Sequence, residues 1–490
     1  MIDLAYVIPA LNAADTIAHT LESVRRQIGL RTHTIVVDDG SSDQTADIAR
    51  ATRDWRVEVV RQANLGLAGA RNTGFETLGD RAEFVCFLDA DDTIEPSHGA
   101  TLVEALRAAR ERDGAGVVGV GAAFRMVGPD LEDLGWNVSI APDATSIERL
   151  LDCNPFAVGA VALHVETLRE RAGARPFDQS LRQVEDWDLW LRLTLDGATW
   201  APPVNEQLFN YRLRSAALSR GIEAMWQTGR RVLHRAGRLP DADPILVERA
   251  LRHWTIRHLA RAAAAPSEVA RRLLPGLLDD LDDHGRRTLG PDDIRVFHGA
   301  LRHAMLFEHA VGPDRASHRA ADWCEAARRN LAAWPECAPA LDSFSLTSPV
   351  MLADALAELL RSAKTAAAKG GIGAATGRLA HLRPVLAGMG QNGRDLAAAL
   401  RARRVAFDWF DDHPSAACPV AGARRVELDA IGAMHLVVVT PTNAASLAQR
   451  LRTSPALVML PEEVLSAAAP PASVSIEAAS SGHASRRLVA

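Results

Sequence analysis

VVDDGSSDQT (36–45) decides the fold. Its two valines close a β-branched run, HTIVV (33–37); two carboxylates follow, then a glycine and a Ser/Asp cluster that opens a helix. A buried strand that ends in polar groups and turns directly into a helix is the unit of an α/β sheet. Working outward, LAYVI (4–8) is a second short apolar run. After it, Ile17, Leu21, Val24 and Ile28 form a helical stripe, with Asp15 as its N-cap. VEVV (57–60) reads as a strand, 67–79 as a helix, and FVCFL (84–88) as a fourth strand ending at Asp89. The alternation predicts a parallel sheet with helices on both faces, and ligands outside the carboxyl ends of its strands.

The rest of the chain sets bounds. Its 490 residues correspond to about two to four domains. An apolar share of 48% with 24% charged residues is that of a globular chain. A net charge of -6 argues against a nucleic-acid coat protein. Five scattered cysteines without a CxxC pair argue against a disulfide framework or a structural zinc site. The N-terminus lacks a basic region before its apolar run, and no stretch reaches the roughly 18–20 apolar residues of a membrane span. The expected location is cytoplasmic, compatible with peripheral association with a membrane or partner protein.

Texture divides the chain further. From about 220 to 365, Leu, Ala, Arg, His and Trp recur at helical spacing, as in ILVERALRHWTIRHLARAAA (245–264). TAAAKGGIGAATG (365–377) has the composition of a linker. Strand, glycine turn, helix and strand follow over 383–412, with further strands at 434–441 and 456–461. The Ala/Ser/Pro-rich tail from 468 reads as disordered. The expected domains are 1–220 (α/β), 221–364 (helical), a linker at 365–377, 378–467 (a small Rossmann-like α/β domain) and a tail at 468–490.

Four constellations carry chemistry, and each has a plainer reading. Asp38 and Asp39 suit a base edge or ribose hydroxyl, but the following Gly and Ser/Asp cluster also makes an ordinary turn and helix cap. In QANLGLAGARNTGF (62–75), Arg71 at a helix start can pair with phosphate, or be a surface arginine. In FVCFLDADD (84–92), Asp89, Asp91 and Asp92 repel one another unless a cation or donors offset their charge. Such hard oxygens suit Mg²⁺ or Mn²⁺, whereas the plainer reading is a solvated acidic turn. In QVEDWDLWLRL (183–193), Glu185 and Asp186 at a helix start are either dipole-stabilising carboxylates or a general base.

In this order the four resemble the family 2 glycosyltransferases, whose catalytic domain has the GT-A fold. The matching segments are VIPALN (7–12), VDDGSSD (37–43), NLGLAGARNTG (64–74), DAD (89–91), Glu185–Asp186 before a Trp-rich helix, and NYRLRSAALS (210–219). The resemblance covers residues 1–220. It implies that the backbone around Pro9 and the Asp39 carboxylate hold the nucleotide base, and that Arg71 faces the nucleotide. It implies further that Asp89 lies near the ribose or sugar and the metal, that Asp91 binds Mn²⁺ or Mg²⁺, and that Asp186, or else Glu185, is the base. Members often carry His two residues after YR; here that position is Arg214, which can meet phosphate beside Arg212 but cannot ligate a metal. His164 is expected to be a packed or acceptor-side residue.

The C-terminal part carries GMGQNG (388–393), whose Gly388, Gly390 and Gly393 lie between strand and helix, with Asp411 about 20 residues beyond the first glycine. That context fits a dinucleotide, although no hydride-transfer partner stands out; a structural or sensing module is the favoured reading. The expectation for the whole is an inverting, metal-assisted enzyme that takes a nucleotide sugar, a UDP-sugar foremost, and transfers the sugar to a glycan, lipid-linked or protein acceptor. Its rivals are a non-catalytic nucleotide-sugar-binding scaffold and a nucleotide-dependent oxidoreductase.

Overall fold

The computed structural model describes residues 2–214, 221–283, 288–311, 320–332, 334–337 and 340, and, toward the C-terminus, 383–387, 396, 400, 405–410, 424–425, 435–439 and 457–459. The linker at 365–377, the tail from 468, and Gly388, Gly390, Gly393 and Asp411 lie outside the described residues. The chain divides into two compact units, one of Met1–Glu132 with Asn137–His258, the other of Asp133–Trp136 with the chain from Leu259 onward.

In the first unit the chain runs β1 (Ile2–Ala10), α1 (Ile17–Arg25), β2 (Thr32–Asp38), α2 (Thr45–Ala51), β3 (Val57–Arg61), α3 (Gly66–Leu78), β4 (Ala82–Phe87), β5 (Thr93–Ile94), α4 (His98–Asp113) and β6 (Val117–Val127). After β7 (Asp133–Val138) come α5 (Ile147–Asp152), β8 (Val161–His164), α6 (Val165–Ala172), α7 (Glu185–Leu195), β9 (Thr199–Trp200), β10 (Val204–Arg212) and α8 (Ile222–Ala236). Helix α9 (Pro244–Ala264) begins in this unit and ends in the next.

The sheet runs β3-β2-β1-β4-β8-β6-β10-β5. Strands β1 to β4 are parallel, as expected, but β8 is antiparallel to both β4 and β6, so the sheet is mixed. A parallel strand needs a crossover that returns the chain to the starting edge, whereas β8 is entered from the three residues 158–160 just before it and runs the other way.

Burial explains the strands. Leu4 to Ile8 of β1 are fully buried, as are Ile35 to Val37 of β2, because helices cover both faces. Pro9, the penultimate residue of β1, lies beyond the last β1–β4 pair, Val7 with Phe87. Val7 accepts from Leu88 on the β4 side, so by the two-residue period the missing N–H of Pro9 also faces that side, past the point where β4 needs a donor. The stripe at 17–28 is helical only to Arg25, and α1 starts at Ile17 without a side-chain cap. Asp15 is therefore not an N-cap; it pairs with Arg214 at 2.7 Å.

In the second unit, α10 (Ser267–Asp283), α11 (Pro291–Val311) and α12 (Ala320–Asn330) bear out the helical reading. Strands β11 (Arg383–Ala387), β12 (Asp408–Phe410), β13 (Arg424–Arg425), β14 (His435–Val439) and β15 (Leu457–Met459) form a parallel sheet in the order β13-β12-β11-β14-β15. That order is the doubly wound one, with the reversal between β11 and β14. Among the described residues no helix is long and apolar enough to cross a membrane.

Helix α3 lies hard against β1 and β2. A Cβ on Gly74 would stand 2.3 Å from Val7 Cγ1 and 3.2 Å from Val37 Cγ2. Gly74→Ala is expected to lower the urea midpoint, because overpacking costs about 1–3 kcal/mol, more than the roughly 1 kcal/mol of helix propensity gained. An unchanged or raised midpoint would show that α3 can lift away from the sheet.

Candidate active site

The polar residues singled out above gather at the carboxyl ends of β1, β2 and β4 and at the start of α7. Two loops are locked together first. Asn12, at a positive φ of 50°, receives the Ser42 backbone N–H on its side-chain oxygen at 2.9 Å, while its own N–H donates to Ser41 Oγ at 3.0 Å. Asp38 is fully buried and accepts from the Ser41 N–H. Asp39 accepts on Oδ1 from Gln62 Nε2 at 2.7 Å and the Leu65 N–H at 2.8 Å, and on Oδ2 from the Gly66 N–H at 2.9 Å. Asp39 thus ties β2 to the first turn of α3, where a carboxylate also meets the positive helix end.

Arg71, on α3, is 1% exposed. Its Nη1 pairs with Glu185 Oε1, and its Nη2 donates to Asp89 Oδ1 at 2.6 Å. The guanidinium lies over the Phe177 ring, 5.5 Å from its centroid. Beside it, the Asn72 side chain donates to the Phe177 carbonyl at 2.8 Å and accepts from the Phe177 N–H at 2.9 Å. Arg71 is thus enclosed, with both terminal nitrogens holding carboxylates, and in this structure its fork faces Asp89 and Glu185.

Those two carboxylates belong to different motifs. Asp89 follows β4, and Glu185 opens α7. Burial pushes the Glu185 carboxyl up, with Asp186 and Asp89 adding to the rise against Arg71. Asp186, half-buried, accepts on Oδ1 from the Trp187 N–H at 2.7 Å and on Oδ2 from Asn154 Nδ2 at 2.9 Å. Burial raises its pKa too, against Arg71 and these two donors. Val184, just before, has φ 55° and ψ 24°, a left-handed backbone that a β-branched residue adopts only under strain.

On the other side of Asp89, Asp91 remains 36% exposed, with Arg214 Nη1 at 4.0 Å from its Oδ2. Burial and then Asp89 push its carboxyl up to about 6. Asp92 is buried and accepts the Arg212 N–H at 2.8 Å, which fixes the end of β10. Arg212 itself is 4% exposed, and its Nε and Nη2 have no hydrogen-bond partner among the described residues. His164 accepts the Thr167 N–H at 3.2 Å and caps α6, a packed role.

No group of three or more His, Cys, Asp or Glu side chains able to hold a metal occurs among the described residues. The part-exposed carboxylates of Asp89 and Asp91 still suit a hard divalent cation whose other ligands are phosphate and water, and such a cation would relieve the repulsion that raises Asp91.

One residue and two pairings leave no signal in the sequence. Asn154, in LLDCNPF (150–156), belongs to no motif. Asp15 has the composition of a helix cap, and its pairing with Arg214 spans 199 positions. The partner of Arg71 across 114 positions leaves no local trace.

The topology and these carboxylates define an α/β domain with an acidic site at the carboxyl ends of its strands, and comparison narrows the class. Residues 6–134 match the family model described as Glycosyl transferase family 2. The match falls within the N-terminal α/β domain and runs from β1 to beyond β4. The succinoglycan biosynthesis protein ExoO of Rhizobium meliloti is 37% identical over 108 residues, 22% of this chain and 30% of that protein. The putative glycosyltransferase EpsH of Bacillus subtilis is 39% identical over 97 residues, 19% of this chain and 28% of that protein. The amylovoran biosynthesis glycosyltransferase AmsB of Erwinia amylovora is 28% identical over 225 residues, 43% of this chain and 70% of that protein. The chain thus spans less than a third of ExoO and EpsH. Among solved structures, S. aureus TarS 1–349 in complex with UDP aligns over 63% of this chain and 86% of its own, at 17% identity and a TM-score of 0.42.

The Asp91 shift sets a pH dependence. The folded state holds this proton more tightly than the unfolded chain, so the associated stability is full below pH 3.8 and is lost as pH rises through about 6. In metal-free urea titrations, Asp91→Asn is expected to flatten the fall in stability across that window. An identical slope in both proteins would place the Asp91 pKa at its ordinary value.

Proposed function

We propose that the N-terminal domain transfers a sugar from a nucleoside diphosphate sugar to an acceptor hydroxyl, with inversion at the anomeric carbon and Asp186 as general base. The observation that carries this reading is the Arg71 bridge: it joins the acidic end of β4 to the residue beside Asp186, so the donor-side and acceptor-side carboxylates share one rim.

Glu185 is enclosed and paired with Arg71, which leaves Asp186 as the carboxylate able to meet an acceptor. Its two donors fix the carboxylate plane, and its raised pKa makes it a better proton acceptor than an ordinary aspartate. In the reaction, Asp186 takes the acceptor proton as that oxygen attacks the anomeric carbon. The bond from this carbon to the diphosphate oxygen breaks, and the diphosphate leaves with the electron pair. No protein nucleophile is needed. Arg212, with two nitrogens unpartnered among the described residues, and Arg214 supply positive charge on the diphosphate side. A bound Mn²⁺ or Mg²⁺, held by Asp91 and Asp89, would offset charge on the leaving group.

Pro9 and the Asp39-braced loop are the proposed seat of the base. The assignment of that base to uracil rests on the family resemblance. ExoO and AmsB are named for succinoglycan and amylovoran biosynthesis, which supports a glycan acceptor.

A screen of UDP- and GDP-sugars for hydrolysis, with Mg²⁺ and with Mn²⁺, tests the class; no turnover of any donor would remove it. Asp186→Asn is expected to keep nucleotide affinity and lose about 10²–10⁴-fold in turnover. Parental turnover in that variant would move the base elsewhere. Asp91→Ala is expected to abolish the Mn²⁺-dependent part of UDP affinity measured by calorimetry; unchanged affinity would end its role as a ligand.

A further inference from the structure

The helices that follow β10 reach the proposed base by two routes. The first half of α9 lies in the same compact unit as α5 and α7. His253 Nδ1 stands 2.6 Å from Asp152 Oδ1, and Arg257 Nη2 stands 3.0 Å from Asp152 Oδ2. Arg257 Nη1 also donates to the Asp152 carbonyl. Asp152 is the last residue of α5, so three contacts from one helix grip the end of another. Burial opposes ionisation of Asp152, but His253 and Arg257 hold its pKa down at about 2. Two residues on, Asn154 donates to Asp186 Oδ2, and its own Oδ1 accepts from the Phe156 N–H at 3.3 Å.

The second route is aromatic. Trp254 of α9 stacks on Trp187, the residue after Asp186, with ring centroids 4.8 Å apart and planes 30° apart. Trp187 Nε1 donates to the Leu150 carbonyl of α5 at 2.6 Å, and Trp254 Nε1 donates to the Trp226 carbonyl of α8 at 3.0 Å. Helix α8 passes so close that a Cβ on Gly229 would meet the Trp254 ring at 2.2 Å. Both donors that orient the Asp186 carboxylate, Asn154 Nδ2 and the Trp187 N–H, therefore belong to residues that α9 holds directly or through Asp152.

We propose that α9 is a positioning element for Asp186: His253 and Arg257 fix the α5 end that carries Asn154, Trp254 fixes Trp187, and together they set the plane and reach of the base. The inference rests on the role of Asp186 given above. It assigns to the helical extension a part in transfer itself, through His253, Trp254 and Arg257 as positioning residues. Other elements also face Asp186. Glu185 adjoins it on α7, Arg71 lies on α3, and Asp89 follows β4. The hydrogen bonds and ion pairs of Arg71, Asp89 and Glu185 among the described residues link α3, β4 and α7, whereas α9 reaches Asp186 through Asn154 and Trp187.

The test uses the full chain, with UDP and Mn²⁺ calorimetry for affinity and the donor hydrolysed fastest in the UDP- and GDP-sugar screen for turnover. Arg257→Met and Asp152→Asn are expected to leave UDP affinity within about twofold and to lower kcat by about tenfold or more, since small misplacements of a reacting group carry losses up to about 10²-fold. Arg257→Lys, which keeps the charge, is expected to recover part of the rate. A parental kcat in both variants, or a loss of UDP affinity that matches the loss of rate, would overturn the inference. If the parent hydrolyses no donor, the functional reading fails, and positioning is judged by a crystal structure of Asp152→Asn. Displacement of Asn154 Nδ2 from Asp186 Oδ2 upholds it, and a contact kept at 2.9 Å overturns it.

Discussion

The buried Arg71 guanidinium is the constraint on which the site depends. A charge removed from water is tolerated only with close partners, and its partners here are Asp89 and Glu185. The planar fork lets one residue hold two carboxylates from distant segments, which a lysine could not do in the same geometry. Removing one member of such a cluster leaves an uncompensated buried charge, typically a loss of about 3–5 kcal/mol. The bridge therefore acts on stability and site geometry at once. It holds the end of β4 and the start of α7 in register, with α3 between them.

Around that bridge the backbone is spent on reach rather than on local comfort. Val184 accepts a left-handed conformation so that α7 begins with its carboxylates at the rim. Asn12 does the same where β1 turns into the loop that meets Ser41 and Ser42. Asp39 satisfies the first N–H groups of α3, donors that a helix start leaves without intrahelical partners. These features lie at sheet and helix ends, where neighbouring elements over-determine the conformation and can hold strain.

Much of the fold was legible because its signals are local. Continuous apolar runs marked β1, β2 and β4, and the polar residues after them marked the rim. Glycosyltransferase motifs supplied the order in which those rims converge. What stayed hidden is long-range. The antiparallel sense of β8 depends on where its preceding segment enters, which no periodicity in AVGAVAL (157–163) records. The pairing of Arg71 with Glu185 spans 114 positions, so a helical arginine read alone looks like a phosphate contact. Asp15 carries the composition of a helix cap, but its partner is Arg214 at the far end of the domain. Asn154 is a single amide in an apolar segment, visible only once α5 and α7 are side by side.

Charge balance at the rim gives the arginines after β10 their part in the proposed reaction, where the resembling family often carries a histidine. Asp89 and Glu185 are answered by Arg71 through its Nη2 and Nη1. Asp92 is occupied by the Arg212 backbone N–H, so it anchors the strand and does not neutralise the Arg212 side chain by direct contact. Arg214 divides itself between Asp15 at 2.7 Å and Asp91 at 4.0 Å, the longer contact being the weaker. Asp91 is left with an upward-shifted carboxyl, and Arg212 with donors unpartnered among the described residues, on the same side of the rim. In the proposed reaction a diphosphate with a divalent cation would meet both deficits together, the cation against Asp91 and the phosphate charge against Arg212. Either alone leaves one of them uncompensated, so in the proposed reaction donor and cation are expected to bind with positive coupling, each raising the affinity of the other.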